Sequence, residues 1–184
     1  MRLIVGLSGA SGIIYGIRLL QTLRKLKVET HLVVTRSAEI LIRTETGLKL
    51  EEVKRLASRS YEPEDLAAPI ASGDFGADGM VVAPCSMKTL AGIAHGYSQN
   101  LLLRAADVTI KERKPLVLVV RETPLSLVHL RNMVSAAEAG ATILPACPAF
   151  HHKPETIDQL VDFVVGKILD QFGISHRLYR RWGM

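Results

Sequence analysis

Short aliphatic runs alternate with longer amphipathic segments along most of the chain, a pattern typical of βαβ units around a parallel sheet. The aliphatic runs are unpatterned and rich in Val, Ile and Leu, as expected of strands covered on both faces. They predict strands at Leu3–Leu7, His31–Val34, Gly79–Ala83, Leu116–Val120 and Ala141–Leu144. The amphipathic segments predict helices at about Ile13–Leu26, Ala38–Thr44, Leu50–Ala57, Lys88–Ala94, Leu101–Lys111, Leu125–Ala139 and Thr156–Phe172. The pattern therefore predicts an α/β fold with a mostly parallel sheet.

No repeat or linker interrupts this alternation, and 184 residues is a typical size for one domain. The segment Ser58–Gly76 has Pro, Asp, Ser and Gly scattered through it and no long period, which predicts an irregular excursion over the sheet. That segment is too short for a second domain. We therefore expect residues 1–184 to form a single domain.

Composition excludes several classes of protein. Hydrophobic residues make up 48% of the chain and charged residues 22%, which excludes a disordered chain. Aromatic residues are 5%, so no aromatic tract exists to stack single-stranded bases. Cys85 and Cys147 lack the CxxC spacing of a zinc or redox site, and a reducing cytoplasm is the simplest location. No apolar stretch reaches the roughly 18 residues that a membrane span requires, so we expect a soluble protein.

The net charge of +5 favours an anionic partner, either a nucleic acid, an anionic membrane or a phosphorylated small molecule. Ligands of open parallel sheets bind outside the carboxyl ends of the strands, so the segments that follow the strands are informative. The basic residues are scattered among these segments rather than stacked along one helix, which counts against a polyanion. We therefore expect neither nucleic acid nor membrane as a partner.

Four of these segments carry groups that bind anions. They are Ser8–Gly12, Thr35–Ser37, Pro84–Thr89 and Arg121–Pro124. The first is rich in small residues and precedes a helix, whose unpaired N–H groups attract anions, although its glycines do not match GxGxxG. Taken alone, the first segment is equally well explained by a tight turn, and the second is better explained as a helix cap. Together they predict a ligand that bears phosphate.

Three further features leave alternatives open. Arg104 and Lys111 are seven residues apart on a predicted helix, so they share one face of it. This face either binds an anion or is a solvated basic surface on which Asp107 forms an ion pair with one of the two cations. Glu45 lies between two threonines, which by itself is usually a surface feature. Cys85 is more readily explained as a small buried residue at a strand end than as a nucleophile.

Taken in order, a series of motifs from residue 3 to residue 182 resembles the UbiX flavin prenyltransferase family. These motifs are Ser8-Gly9-Ala10-Ser11-Gly12, Thr44-Glu45-Thr46, Pro84-Cys85-Ser86-Met87-Lys88-Thr89-Leu90, Arg104-Ala105-Ala106-Asp107-Val108, Lys111-Glu112-Arg113, the run Pro115–Glu122, His129-Leu130 and Arg181-Trp182. The resemblance implies a Rossmann-like, three-layer flavoprotein that forms a homo-oligomer, usually a dodecamer. Its members join the prenyl group of dimethylallyl phosphate to N5 and C6 of reduced FMN. The product, prenylated FMN, serves UbiD-type decarboxylases.

The resemblance also implies roles for individual residues. Those implied to hold FMN are Gly9, Ala10, Ser11, Thr35, Ser86, Met87, Lys88, Thr89 and Arg121. Ser11 and Glu45 would handle the proton of the reacting flavin nitrogen. Arg104, Lys111 and Glu122 would form a charged wall around the prenyl phosphate, which His151 and Lys167 would complete. Trp182 matches a motif that helps to close the site, and the tail 174–184 is expected at a subunit interface.

Two positions depart from the family pattern. His151 stands where the family usually has Tyr, and Lys167 stands where Arg is usual. An imidazole still donates a hydrogen bond to phosphate, whereas an ammonium group lacks the bidentate contact of a guanidinium. The chain has no DDxxD motif and no metal-spaced His cluster, so we expect a metal-independent enzyme in which Lys and Arg neutralise the leaving phosphate.

Two other functions are compatible with such a flavoprotein. One is a flavin-dependent decarboxylase that acts on phosphopantothenoylcysteine or an aromatic acid, but the cysteine-type enzymes carry an Asn-containing motif that Pro84–Thr89 lacks. The other is a carrier that binds flavin without catalysis.

Overall fold

The computed structural model describes residues 1–183, which form a six-stranded sheet in which every neighbouring pair is parallel. The strand order is β3-β2-β1-β4-β5-β6. The strands are β1 (Arg2–Leu7), β2 (Glu29–Val34), β3 (Arg59–Tyr61), β4 (Gly79–Cys85), β5 (Leu116–Val120) and β6 (Ala141–Ile143). Because the chain runs outward from β1 to β2 and then returns to β4 on its other side, the carboxyl ends of β1 and β4 flank a crevice.

Seven α-helices are present among the described residues. They are α1 (Ile13–Lys25), α2 (Arg36–Leu41), α3 (Leu50–Lys54), α4 (Met87–Ala94), α5 (Leu101–Lys111), α6 (Leu127–Glu138) and α7 (Ile157–Gln171). A π-helical turn, Ile42–Thr46, continues α2, and two short 3₁₀ turns follow at Pro69–Ala71 and Gly73–Phe75. None of the helices in residues 1–183 is long and apolar enough to cross a membrane.

The sheet lies between two aliphatic cores. One core joins its first face to α1, α2, α3 and α7, through residues such as Ile17 and Val165. The other joins the opposite face to α4, α5 and α6, through residues such as Leu90 and Leu102. This arrangement confirms the predicted three-layer α/β fold.

Gly16 of α1 shows how closely the layers approach. A Cβ atom at this position would overlap the carbonyl oxygen of Ala83 in β4, so glycine allows the helix to lie directly on the strand.

The five predicted strands are all present, with ends that differ by at most two residues from the prediction. The sixth strand, β3, was missed, because Arg59–Tyr61 lies in the segment predicted to be irregular. Its three residues carry no aliphatic run, and the strand forms by pairing with β2, with Arg59 opposite His31. Tertiary pairing, which no local pattern reports, therefore creates this edge strand. The predicted helix Ala38–Thr44 was also wrong in detail, since its second half is the π-helical turn.

Candidate flavin-binding site

Ser8 joins the carboxyl ends of the two central strands. Its buried hydroxyl donates to the carbonyl oxygen of Pro84 at 2.9 Å and accepts from the backbone N–H of Ser86 at 2.8 Å. The next residue, Gly9, contacts the first turn of α2, just after β2, so closely that a Cβ atom would overlap the Cβ of Ser37. The loops after β1, β2 and β4 therefore meet at the crevice, as the sequence predicted for a parallel sheet.

A cleft of about 270 Å³ opens where these loops meet, and we call it the polar cleft. It is lined by Gly9, Thr35, Ser37, Ser86, Met87, Lys88, Thr89, Asn100, Leu103 and Glu122. Six of these residues were predicted to hold FMN, and Glu122 was predicted to lie near the prenyl phosphate. Ala10 and Ser11 lie in the loop that begins at Gly9, and Ser11 is exposed.

Sequence reasoning did not assign Ser37 or Asn100 to the site. Ser37 was visible as the second hydroxyl after the second strand. Asn100 had a weaker signal, because its side chain accepts from the N–H of Leu103 and caps α5, and capping is the usual role of an asparagine before a helix.

The capping interpretation of these hydroxyls is correct, and it does not exclude a binding role. Thr35 caps α2 by accepting from Ala38, and Ser86 caps α4 by accepting from the N–H of Thr89, both at 3.3 Å. The same side chains line the polar cleft. Capping fixes their rotamers, so the cleft presents hydroxyl groups in set positions.

Glu45 occupies the amino end of α1. One carboxylate oxygen accepts from the N–H of Gly12 at 2.9 Å and from that of Ile13 at 3.0 Å. The expectation that this helix end offers unpaired N–H groups to a ligand is therefore wrong for these two groups, because the π-helical turn Ile42–Thr46 brings a carboxylate to them. The same contact places Glu45 next to Gly12, which follows Ser11 in sequence, and the proton-handling role of Glu45 and Ser11 stays a prediction of the family resemblance.

A second cleft adjoins the polar cleft through their shared residue Glu122. This apolar cleft has a volume of about 350 Å³ and is lined by Val120, Arg121, Glu122, Thr123, Leu125, Met133, Pro145, Ala146 and Cys147. Tyr15 lies close to it. Burial and the thiol of Cys147 raise the pKa of the Tyr15 phenol, and Arg121 opposes this rise. Both Arg121 and Glu122 are exposed at the end of β5, so their charges are available to a ligand.

Arg104 and Lys111 lie elsewhere in this chain. Arg104 is bound to Asp107 at 2.7 Å and to the carbonyl oxygen of Ala71 at 3.1 Å, and it does not line either cleft. Lys111, at the far end of α5, pairs with Glu112. An eleven-residue helix is roughly 16 Å long, so Lys111 lies near the amino ends of the strands. The fold therefore does not bring these two predicted residues to the polar cleft of the same chain.

His151, Lys167 and Trp182 are grouped around α7. The His151 ring packs edge-on against the rings of Trp182 and Phe163, with centroid distances of 5.4 and 5.9 Å. Lys167 follows Phe163 by one helical turn, and its ammonium group lies 3.9 Å from Asp170. His151 and Trp182 are thus in contact, and Lys167 lies one helical turn along α7 from the phenylalanine that His151 contacts.

The tail folds back onto α7 through Asp170. The carboxylate accepts from Arg181 at 2.7 Å, from Tyr179 at 3.0 Å and from His176 at 3.2 Å. Burial raises the pKa of Asp170, but these three hydrogen bonds outweigh that effect and leave it below its ordinary value. The contacts hold residues 174–183 against their own chain, and residue 184 lies outside the described residues.

Cys85 faces the core at the end of β4. It is fully buried, and burial raises the pKa of its thiol to about 12. A thiol in that environment stays protonated at neutral pH, so Cys85 acts as a small core residue and not as a nucleophile. Among residues 1–183, no three His, Cys, Asp or Glu side chains are grouped so as to hold a metal ion.

The fold and the clefts together define a protein that binds a phosphorylated ligand at the switch point of a parallel α/β sheet. The family profile described as Flavoprotein matches residues 1–169. The flavin prenyltransferase UbiX of Escherichia coli K12 is 54% identical over 184 residues, which cover 98% of this chain and 97% of the relative. This chain belongs to the UbiX flavin prenyltransferases, within the flavoprotein family.

Two solved structures extend the similarity to three dimensions. A dodecameric FMN-dependent UbiX-like decarboxylase from Escherichia coli O157:H7 has a TM-score of 0.98 and 51% identity, with all of both chains covered. AnUbiX (PadA1) in complex with FMN and dimethylallyl pyrophosphate has a TM-score of 0.98 and 49% identity, covering all of this chain and 97% of the other. The predicted family, fold, enzyme class and flavin cofactor are confirmed at this level.

Proposed function

We propose that this chain joins the dimethylallyl group of dimethylallyl phosphate to N5 and C6 of reduced FMN, at the crevice formed by the polar and apolar clefts. The observation that carries the proposal is the near-complete structural match to AnUbiX, whose complex contains both FMN and a dimethylallyl donor. The donor set of the polar cleft fits such a ligand. It combines hydroxyl groups and an ammonium group, which suit a phosphate and a ribityl chain.

Residues of the polar cleft bind and orient FMN in this proposal. Gly9 lets the loop approach the phosphate, while Thr35, Ser86 and Thr89 offer hydroxyl groups and Lys88 a positive charge. Reduced FMN supplies the electron-rich nitrogen and carbon to which the prenyl group bonds. The apolar cleft, with Met133 and Leu125, offers room away from water for the uncharged parts of the reactants.

Glu45 and Ser11 move protons at the same place. Two backbone N–H groups donate to one carboxylate oxygen of Glu45. Because the backbone is rigid, these bonds also fix the position of the other carboxylate oxygen. A carboxylate held in this way accepts the proton lost from N5 when the new bond forms. Ser11, one residue from Gly12, orients the group that carries this proton.

Cations stabilise the departing phosphate. Breaking the allylic C–O bond leaves negative charge on the phosphate, so fixed positive groups lower the barrier without a metal ion. Arg121, which was expected to hold FMN, lines the apolar cleft next to the shared residue Glu122, and His151 and Lys167 lie beside the tail. Glu122 orients the cations of this wall.

Arg104 and Lys111 take part only if a second copy of the chain supplies them. Within one chain Arg104 is bound to Asp107 and does not line the polar cleft, and Lys111 is bound to Glu112 at the far end of α5. We propose a homo-oligomer, a dodecamer like that of the Escherichia coli relative, in which these residues face the crevice of a neighbouring copy. Exposed apolar side chains on α6, among them Leu127, Val128 and Val134, support burial between copies.

The remaining expectations extend the same proposal. The tail 174–184 lies at a subunit interface, where the largely exposed Trp182 helps to close the site. The enzyme acts in the cytoplasm, and its product passes to a UbiD-type decarboxylase.

The decisive experiment incubates the purified protein anaerobically with reduced FMN and dimethylallyl phosphate, and measures the flavin by mass spectrometry. We expect a product with the mass of one added C5H8 unit. Glu45→Gln should bind FMN with unchanged affinity and give product at least about a hundredfold more slowly, since general acid–base groups contribute roughly 10²–10⁴-fold. Absence of the product from the wild-type protein, or full activity of Glu45→Gln, contradicts the proposal.

A further inference from the structure

An ion pair between Lys111 and Glu112 closes the carboxyl end of α5. The two residues are consecutive, and consecutive residues of a helix do not normally face each other. Here the helix ends at Lys111 and the chain turns, since Arg113 adopts a left-handed φ of 53° and its N–H donates to the carbonyl oxygen of Ile110 at 2.9 Å. Beyond the helix end, the carboxylate of Glu112 comes back to the ammonium group of Lys111 and accepts a hydrogen bond from it.

The ion pair lies against Gly73, in the second of the two 3₁₀ turns. A Cβ atom at Gly73 would overlap the carboxylate of Glu112 and would lie 3.1 Å from Nζ of Lys111. Both charged groups therefore rest on the backbone of this turn. The first turn makes a comparable contact, because the carbonyl oxygen of Ala71 accepts from Nε of Arg104 at 3.1 Å. One short segment thus contacts both of the cations that the proposed function assigns to a neighbouring copy.

Stability does not account for this ion pair. The side chains of Lys111 and Glu112 are 49% and 42% exposed, and exposed ion pairs contribute little to the free energy of unfolding. The pair does restrict the lysine, because an ammonium group on a four-carbon stem samples many rotamers unless a partner holds it. Its effect is therefore to fix the position of a cation that remains accessible from outside the chain.

Lys111 keeps its capacity to bind a phosphate while it is paired. An ammonium group has three N–H donors, and Glu112 accepts from one of them, so donors remain for a second anion. The run Lys111-Glu112-Arg113-Lys114 contains three cations and one carboxylate, so this end of α5 stays positively charged. Glu112 is ionised at neutral pH, because the hydrogen bond and the charge of Lys111 hold its pKa below its ordinary value.

We propose that Glu112 and Gly73 are positioning residues, which hold the Lys111 ammonium group in place for the phosphate of the prenyl donor in a neighbouring copy. The inference rests on the proposed function, in which Lys111 stabilises the departing phosphate at that site. Negative charge develops on the phosphate as the allylic C–O bond breaks, and a cation that is already in place stabilises this charge without reorganisation. Glu112 contributes to the reaction through Lys111 and does not touch the reactants.

The first test removes the carboxylate. Glu112→Ala should lower kcat/KM for dimethylallyl phosphate about tenfold, since a displacement of about 1 Å in a reacting group can cost up to about a hundredfold in rate. Glu112→Gln keeps an oxygen that accepts from Lys111, so it should recover part of this loss and stay within about threefold of the wild type. The matched control is Glu51→Ala, which removes the carboxylate from the exposed pair of Glu51 and Lys54 and should keep full activity.

The second test moves the ion pair without changing its charges. Gly73→Ala adds a methyl group that must displace the carboxylate of Glu112, and this carboxylate is the flexible end of a side chain, so the fold should tolerate the change. We expect kcat/KM to fall by a factor similar to that of Glu112→Ala. The affinity for FMN and the urea concentration at the midpoint of unfolding should stay unchanged.

A double-mutant cycle separates positioning from a structural role. If Glu112 and Gly73 act through Lys111, then Glu112→Ala and Gly73→Ala should cause no further loss in a Lys111→Met background, in which the residual rate of product formation is measured by mass spectrometry. A structural defect would lower the rate by the same factor in both backgrounds.

The outcomes distinguish this inference from the proposed function. An unchanged or raised kcat/KM in Glu112→Ala, or an equal loss in the Lys111→Met background, overturns the inference while the activity of the wild-type protein upholds the proposed function. Absence of product from the wild-type protein overturns both. Full activity of Lys111→Met overturns the placement of Lys111 in a neighbouring site, and this inference with it.

Discussion

Activity that is shared between copies of the chain can be tested by mixing two inactive variants. Glu45 lies at the amino end of α1 beside the polar cleft, whereas Lys111 lies about one α5 length away, roughly 16 Å, at the other edge of the sheet. A lysine side chain does not span that distance. If both residues serve one active site, they must come from different copies.

The magnitude follows from random assembly. Glu45→Gln chains keep Lys111, and Lys111→Met chains keep Glu45. When equal amounts are coexpressed, half of the sites receive an intact Glu45, and half of those receive an intact Lys111 from the neighbour, so about a quarter of the sites are complete. The mixture should therefore show about a quarter of the wild-type activity per site, although each variant alone is nearly inactive.

The assay is the rate of prenylated FMN formation, measured on oligomers purified through tags on both variants. Glu45→Gln coexpressed with a second, differently tagged Glu45→Gln is the control, and it should remain inactive. Activity of the mixture no higher than that of the separate variants, in oligomers shown to contain both chains, would refute the placement of Lys111 in a neighbouring site.

Three further predictions concern stability and reactivity. Gly16→Ala forces a methyl group against the backbone of β4 and should lower the free energy of unfolding, measured by urea denaturation, by about 2–3 kcal/mol. An unchanged urea concentration at the midpoint of unfolding would contradict the close packing of α1 on β4. The folded protein should react with one equivalent of Ellman's reagent at pH 8, through the exposed Cys147, and with two equivalents after denaturation. The second thiol is protected in the folded state because burial raises the pKa of Cys85 to about 12. Rapid reaction of two thiols in the folded protein would contradict this prediction. The tail's hydrogen bonds lower the pKa of Asp170, so their stabilising effect is present above the ordinary carboxyl pKa of about 4 and is lost as the pH falls through the lowered value. Fluorescence of Trp182, the one tryptophan of the chain, should report tail release below about pH 4 in the wild-type protein and already at neutral pH in Asp170→Asn.

The layered fold could be predicted because its cause is local. Each strand that is covered on both faces needs an aliphatic run, and each helix needs one apolar face. Strands and helices can therefore be predicted from short stretches of sequence. The edge strand β3 lacks this signal, since Arg59–Tyr61 is exposed over most of its length and is held by pairing with β2. Its existence depends on a neighbour that lies far away in sequence.

The polar cleft was predictable to a similar extent. Parallel strands all end at one edge of the sheet, so Gly9, Thr35 and Ser86 could be placed together from their positions after strands. The role of Glu45 was not predictable from residue spacing, because a π-helical turn aims its carboxylate at α1. Only the family resemblance connected Glu45 to Ser11.

Arg104 and Lys111 show why the charged wall could not be derived in the same way. The predicted helix that carries both residues is confirmed, and their seven-residue separation predicts that they share a face of it. Periodicity does not report which edge of the sheet each end of the helix reaches. A helix that connects two parallel strands ends near the amino end of the second strand. Lys111, the last residue of α5, therefore lies at the amino ends of the strands, whereas the polar cleft of the same chain lies at their carboxyl ends. A function for Lys111 at the flavin therefore requires a second copy of the chain, and the oligomer becomes part of the active site.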